Sequence, residues 1–163
     1  MSDDIIKDVL RRLPYGFYGV TSKYGKDENA MVLTWMTQVS FEPRLIAIAV
    51  QKTSYSYQLI EKGKVFALNI FNFEDAESIK PVTKGRSKNP DKMEDLKYTS
   101  GVETGCPILD GAAAYLECRV KTIQDIGGDH NIVIGEIVGA GVVKAGSVED
   151  TLSLPKLGWS YAG

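Results

Sequence analysis

The sequence predicts a mainly β protein, an antiparallel barrel of many short strands with a few short helices. Runs rich in aromatic and β-branched residues recur along the 163 residues, separated by turn-forming Gly, Pro and Asp. Leu116, Cys118 and Val120 alternate with Glu117, Arg119 and Lys121, the period of a half-buried strand with its polar side in water. Strands do not alternate with long helices, which argues against βαβ units and a Rossmann site.

Ser2 is placed to cap a helix whose apolar positions Ile5, Ile6, Val9, Leu10 and Leu13 share one face, and Pro14 stops it. Tyr15 to Ser22 reads as a strand, Gly25-Lys26-Asp27 as a turn, and Asn29 to Met36 as a second strand. Leu45 to Val50 is an almost continuous apolar run, which predicts burial on both faces. Tyr57 to Lys62 reads as a short helix ended by Gly63, and Val65 to Phe71 as a strand. Phe73 to Val82 is helical in pattern and broken around Pro81, and Thr83 to Asp95 reads as a polar loop. Gly127-Gly128-Asp129 turns the chain into a strand over Asn131 to Val143, and the last segment from Leu152 has little regular pattern. No repeat or linker interrupts 1–163, so a single domain is expected.

A formal charge of −2 gives no electrostatic case for nucleic acid. The longest apolar stretch is far shorter than a bilayer span, and the acidic start lacks the features of a secretory signal, so the expected address is cytoplasmic and no membrane is involved. Two cysteines and one histidine, with no paired metal-ligand spacing, leave no expected metal site. Cys118 is expected in the core and Cys106, beside Pro107, nearer solvent; neither is assigned a catalytic role. No nucleophile elbow is present. Chemistry carried by a bound organic cofactor stays open.

Three segments could hold a phosphate and a flat ring. Gln51 to Ser56 places hydroxyls and free N–H groups at a predicted helix start, an anion site or simply a capped helix. Lys84-Gly85-Arg86 could add positive charge to the same anion, or be a solvated loop. In Asn29 to Phe41, Thr34, Thr37, Gln38 and Ser40 interrupt an apolar pattern with hydrogen-bonding groups, and Trp35 could stack on a ring or pack in the core.

The run Asn29-x-Met31-x-x-Thr34-Trp35-x-x-Gln38-Val39-Ser40-Phe41-x-Pro43 resembles the start of the flavin reductase-like, FMN-binding split-barrel family, which includes flavoredoxins. Val50 to Ile60, Phe66 to Asn69, Gly105 to Gly111, Leu116-Glu117-Cys118 and Gly128-Asp129-His130 continue the match in order over nearly the whole chain. The resemblance implies a split β-barrel with FMN at a homodimer interface. It places the ring and ribityl chain against Val32, Leu33, Thr34, Trp35 and Met36, with Gln38, Val39 and Ser40. It assigns the phosphate to Thr53, Ser54, Tyr55 and Ser56, and to Lys84, Gly85 and Arg86. Gly-Asp-His and the near-terminal Gly158 to Tyr161 then lie near a nicotinamide, so His130 is the expected catalytic residue and His130 and Tyr161 the expected substrate contacts. Leu154 to Trp159 departs from the usual ending of the family.

The expected function is an oxidoreductase reducing flavin with NADH or NADPH. An FMN-holding electron-transfer protein with little turnover is the alternative, and a pyridoxamine-phosphate-oxidase-like enzyme a third. Positioning, not acid–base chemistry, is what such a protein must supply.

Overall fold

The computed structural model describes residues 2–161. At the start, α1 (Asp3–Leu10) forms as its cap predicts: the Ser2 hydroxyl accepts from the Ile5 N–H, and Asp3 and Asp4 occupy the first turn, where the helix dipole favours negative charge. Ile5, Ile6, Val9 and Leu13 stay exposed, so α1 gives the core nothing.

The strands are β1 (Tyr18–Tyr24), β2 (Asp27–Leu33), β3 (Met36–Ser40), β4 (Leu45–Gln51), β5 (Val65–Ile70), β6 (Tyr98–Ser100), β7 (Pro107–Leu109), β8 (Ala114–Asp125) and β9 (His130–Val142). Seven of them make one antiparallel sheet in the order β2-β1-β5-β8-β9-β4-β3, while β6 and β7 pair separately. β2 and β3 are the two edges of the large sheet, yet only Thr34 and Trp35 lie between them. Three Cα steps reach at most about 11 Å. Six inter-strand gaps in a flat sheet would separate the edges by about 29 Å. The sheet therefore curls until its edges come close, without a ladder between them: a barrel left open along one seam.

Val20, Ile46, Ile48, Val50, Phe66, Leu68, Cys118 and Val133 fill the interior. α2 (Tyr55–Gly63) closes one side through Tyr57 and Ile60. Its last residue, Gly63, packs where a Cβ would lie 2.0 Å from the Lys23 carbonyl, and the left-handed residue ending the helix is Lys64. A second apolar cluster (Phe17, Phe71, Ile79, Val82, Leu109, Leu152 and Leu154) lies under the segments that wrap the barrel.

Several expectations change. The strand expected over Asn29 to Met36 ends at Leu33, and β3 begins at Met36 on the opposite sheet edge. The segment Phe73 to Val82 is 3-10 helix around a single α-helical turn, α3 (Ala76–Ile79). β4 is not buried on both faces: Ile46, Ile48 and Val50 are buried, while Leu45, Ala47 and Ala49 are only half-buried in the single chain. Cys106 is fully buried rather than near solvent. Glu117, expected to face water, is 2% exposed. Its carboxylate accepts from the Thr104 N–H (2.9 Å), the Thr104 hydroxyl (2.8 Å) and the Glu103 N–H (3.2 Å), so the turn over 101–106 covers the face of β8 that alternation alone would leave in water.

That carboxylate is the sole acceptor shown for those backbone donors. Glu117→Ala is therefore expected to cost on the order of 3 kcal/mol of stability through lost charge-assisted bonds and stranded N–H groups. Urea unfolding checks it: a midpoint indistinguishable from the parent would mean the turn is held by other contacts.

Candidate functional site

The seam determines where the site forms. Trp35 bridges β2 and β3, and its carbonyl accepts from the Ala49 N–H at 3.1 Å, which ties the crossover to β4. β4 and β9 are in a register that pairs Gln51 with His130, and the Lys52 N–H donates to the Asp129 carbonyl at 3.0 Å. Three chain segments thus converge at the end of β4, and a cavity of about 400 Å³ opens there.

Its floor is the end of β2 and the crossover, with Met31, Val32, Leu33, Thr34 and Trp35, together with Ala49, Val50 and Gln51 of β4. Ser54, at the N-terminus of α2, lines the cavity together with Thr83, Gly85 and Lys92. His130 and the near-terminal Trp159 and Tyr161 stand at the other parts of its wall, with Phe17, Val82 and Leu154.

Lys92 carries the clearest electrostatic signal. The residue is 2% exposed, and its ammonium donates to the Lys84 carbonyl at 3.2 Å with no carboxylate beside it. Burial, helped by the nearby Arg86 charge, pulls its pKa down to about 8. A buried cation with only a neutral carbonyl partner suits an anion in the cavity. The Trp35 indole N–H is a second unmet group: it is buried and has no acceptor. Ser54 accepts from the Tyr57 N–H at 3.1 Å, which leaves its own O–H to donate beside the unpaired N–H groups of the helix start.

His130 Nδ1 lies 2.7 Å from the Asp129 carboxylate, and this hydrogen bond holds the Asp129 pKa below its ordinary value. An ionised carboxylate accepts the Nδ1–H, and in the neutral imidazole this leaves the lone pair on Nε2. The imidazole is tilted against Trp35, with ring centroids 4.9 Å apart, and Tyr161 meets the same indole edge-on at 5.7 Å.

Of the residues expected from sequence, Val32, Leu33, Thr34, Trp35, Ser54, Gly85, His130 and Tyr161 meet at this cavity. The others do not line it. Met36 faces a separate apolar hollow with Tyr15, Thr37, Ala47 and Ile132. Gln38, Val39 and Ser40 lie on the open edge strand, where the Gln38 amide donates to the Ser40 carbonyl. Thr53 and Lys84 are exposed, and Ser56 is buried under Asn29. Arg86 is engaged elsewhere: Nε donates to Asn29 Oδ1 at 2.9 Å, Nη2 to the Glu28 carbonyl at 2.6 Å, and the guanidinium lies 4.5 Å from the Tyr55 ring centre. This arginine holds the loop over 84–92 against β2 instead of reaching into the cavity. Lys92 and Phe17 were not expected, and Trp159 was expected only as part of the near-terminal segment Gly158 to Tyr161. In sequence, Lys92 is one lysine in a polar loop, and only the fold reveals its burial.

The sequence profile of the flavin reductase like domain matches residues 10–155. The chain belongs to that family. Among its relatives, a putative diflavin flavoprotein A 3 of Nostoc is 34% identical over 137 residues, covering 83% of this chain and 24% of the relative. The chain thus spans about a quarter of the first curated relatives it matches. The solved NADH:FAD oxidoreductase SgcE6 of Streptomyces globisporus superposes with a TM-score of 0.73 at 27% identity, covering 83% of this chain and 74% of that one. A flavoredoxin from Methanosarcina acetivorans shares the fold, with a TM-score of 0.73 at 19% identity over 88% of this chain and 76% of its own. The expected family and its mostly β, antiparallel fold are borne out. No helix among the described residues of this flavin reductase-like chain is long and apolar enough to cross a membrane.

Neither thiol belongs to the cavity, and burial pushes Cys106 up to about 11 and Cys118 up to about 12. Both should resist a disulfide-exchange reagent at pH 8 in the native protein and react at once in denaturant. Rapid native labelling of either would contradict their burial.

Proposed function

We propose that the chain is an FMN-binding oxidoreductase that reduces flavin with NADH or NADPH, working as a cytoplasmic homodimer built from one flavin-binding domain. The observation that carries this reading is the convergence, on one cavity wall, of a buried lysine with no carboxylate partner, a tryptophan whose indole N–H is unsatisfied and a histidine oriented by Asp129. The residues fit the cofactor. Lys92, with the Ser54 hydroxyl and the first N–H groups of α2, would hold the phosphate. The walls from Val32 to Trp35 would take the ring, with the Trp35 N–H offered to one of its acceptors. When bound, the flavin supplies the hydride chemistry that the side chains lack.

The chain's own task is placement. Asp129 fixes His130 so that Nε2 can accept from a carboxamide N–H of the nicotinamide, with Tyr161 beside it. Thr53, Tyr55, Ser56, Lys84 and Arg86 support the phosphate end indirectly, as parts of the helix start and of the loop that carries Lys92. A single compact cation site favours FMN over FAD, although the solved relative is named for FAD. The half-buried outer face of β4 and the open β3 edge with Met36, Gln38, Val39 and Ser40 form the surface for the second copy, next to the cavity across Trp35 and Ala49. Both cysteines are free thiols, in keeping with a reducing compartment.

Anaerobic mixing with NADH and NADPH is the deciding test. Bleaching of the flavin absorbance supports the reductase, and FMN retained without bleaching would favour the electron-transfer alternative. A protein that takes up no flavin would end the proposal. Denaturation should release FMN, and light scattering should give a dimer. His130→Ala is expected to leave FMN bound and slow bleaching by about tenfold, the weight of one lost hydrogen bond.

The phosphate assignment carries its own pH signature. Lys92 titrates near pH 8 in the free protein against an ordinary 10.5. Below that pH the ammonium is charged and FMN affinity is at its full value. Above it the free site loses its proton, so affinity falls by up to about tenfold per pH unit until the bound state also titrates. Stability of the ligand-free protein runs the opposite way and rises between pH 8 and 10.5, because the unfolded chain binds the extra proton. Lys92→Met should abolish the pH dependence of affinity, weaken FMN by about tenfold or more, and leave the ligand-free protein no less stable. Unchanged affinity in this variant would move the phosphate elsewhere.

A further inference from the structure

The near-terminal tail crosses the rim of the cavity on very little support. Its base is firm: Leu154 is buried in the second apolar cluster, and the Lys156 ammonium donates to the Thr151 carbonyl at 2.9 Å and to the Glu149 carbonyl. Gly158 then reverses the chain in a left-handed conformation, φ +72°, at a position where a Cβ would meet nothing within 4 Å. The glycine thus serves the backbone turn and not a tight packing. The Trp159 N–H donates to the Leu154 carbonyl at 3.2 Å, the last main-chain bond described along the tail.

Among the described residues, two aromatic contacts hold the tail beyond that point. Trp159 meets Phe17 edge-on, with centroids 5.7 Å apart and planes at 73°. Tyr161 meets Trp35 in the same way, at 5.7 Å and 70°. Phe17 and Trp35 are wall residues, whereas Trp159 and Tyr161 are 54% and 49% exposed. Each tail ring therefore turns one side to the cavity and the other to water. Edge-on pairs of this kind hold with only a few-fold to tenfold preference each, enough to keep the tail closed most of the time and too little to lock it.

We propose that Gly158–Tyr161 is an aromatic clasp over the cavity mouth that sets the rate of flavin entry and exit, with Trp159 as its positioning residue. The role in flavin exchange rests on the flavin-binding reading above; the clasp itself does not. Trp159 acts through its seat on Phe17: it keeps the following residues low over the rim, so that Tyr161 reaches Trp35. A flat aromatic ligand passing this rim has to displace the tail first. A gate and a contact differ in kinetics. A residue that only touches the ligand slows release, whereas a gate slows entry and release together and leaves affinity nearly unchanged.

Stopped-flow quenching of FMN fluorescence on the full chain separates the two. Trp159→Ala is expected to raise both association and dissociation rates by about three- to tenfold, with the Kd moving by less than about threefold. Trp159→Phe, which keeps an edge-on ring, should restore slow exchange. A rise in dissociation alone, or no change in either rate, would overturn the gate. A second readout needs no flavin. The chain has two tryptophans, so in Trp159→Ala all indole fluorescence comes from Trp35. Acrylamide should quench Trp35 more strongly in Trp159→Ala than in a Trp159→Phe protein. Equal quenching in the two variants would overturn the clasp even if the flavin kinetics had changed. If the parent protein takes up no flavin, the functional proposal fails on that result, and quenching still decides whether the clasp exists.

Discussion

Thr34 and Trp35 must carry the chain from one edge of the large sheet to the other, and the rest of the architecture depends on that short span. A longer loop would let the sheet lie open with its edges apart. Two residues leave no such freedom, so the strands coil around a single apolar interior and the edges draw together. The same span prevents complete closure, because the crossover itself occupies the seam where a β2–β3 ladder would run. The cavity forms beside it. Its floor is the crossover, and the backbone bond from Ala49 to the Trp35 carbonyl fixes that floor to β4. Fold and site are thus consequences of one local constraint.

Much of this architecture could be read from sequence because strand patterning is local. β1, β5 and β9 fall where aromatic and β-branched runs place them, and α1 and α2 form around serine caps. What was not legible depends on contacts between distant segments. β6 and β7 are three-residue strands, too short to show a period. The outer face of β4 is apolar in sequence whether it meets the same chain or another copy. Glu117 reads as a solvent-facing residue in an alternating strand, and only the turn over 101–106, folded back onto β8, makes it buried. The site divides in the same way. The crossover, Ser54 and His130 sit at element boundaries that sequence marks, whereas Lys92 owes its role to a loop whose path is set by Arg86. The positive charge of that loop is visible in sequence; that Arg86 is tied to β2 while Lys92 is buried at the cavity follows only from the folded path of the loop.

Buried polar groups without partners are rare, and they are uneven evidence. Ser22 Oγ, Asp75 Oδ2 and Asn131 Oδ1 are also unsatisfied, yet none of these residues lines the cavity. An orphan atom alone therefore says little about a ligand. What distinguishes the seam is that two residues with donors short of acceptors, Trp35 with its unsatisfied indole N–H and Lys92 with only a carbonyl for its ammonium, both line one cavity of about 400 Å³. That size lies within the range of about 300–1,000 Å³ common for small-molecule sites. A ligand with acceptors at two ends and an apolar body between them answers all these demands together. Such a ligand also stabilises the fold by mass action, which offsets the cost of keeping Lys92 charged indoors.

Among the described residues, the ionisable side chains on the cavity wall are Lys92, His130 and Tyr161, with no carboxylate or thiol. The Asp129 carboxylate is committed to His130, and both thiols lie off the cavity wall with their pKa values raised by burial. Among the described residues, such a wall holds no carboxylate or thiol to act as a nucleophile, and its groups are suited to holding a ligand in place. It can bind, orient and exclude water, which is the full set of tasks left to a protein when the ligand carries the reactive atoms. Changes in such a protein then act through the walls. They alter how long the ligand stays and what can approach it, without touching a reacting side chain. In this chain the crossover is fixed by its backbone bond to β4, whereas the rim is built from the 84–92 loop and the near-terminal tail, so changes at the rim can alter ligand traffic without disturbing the barrel.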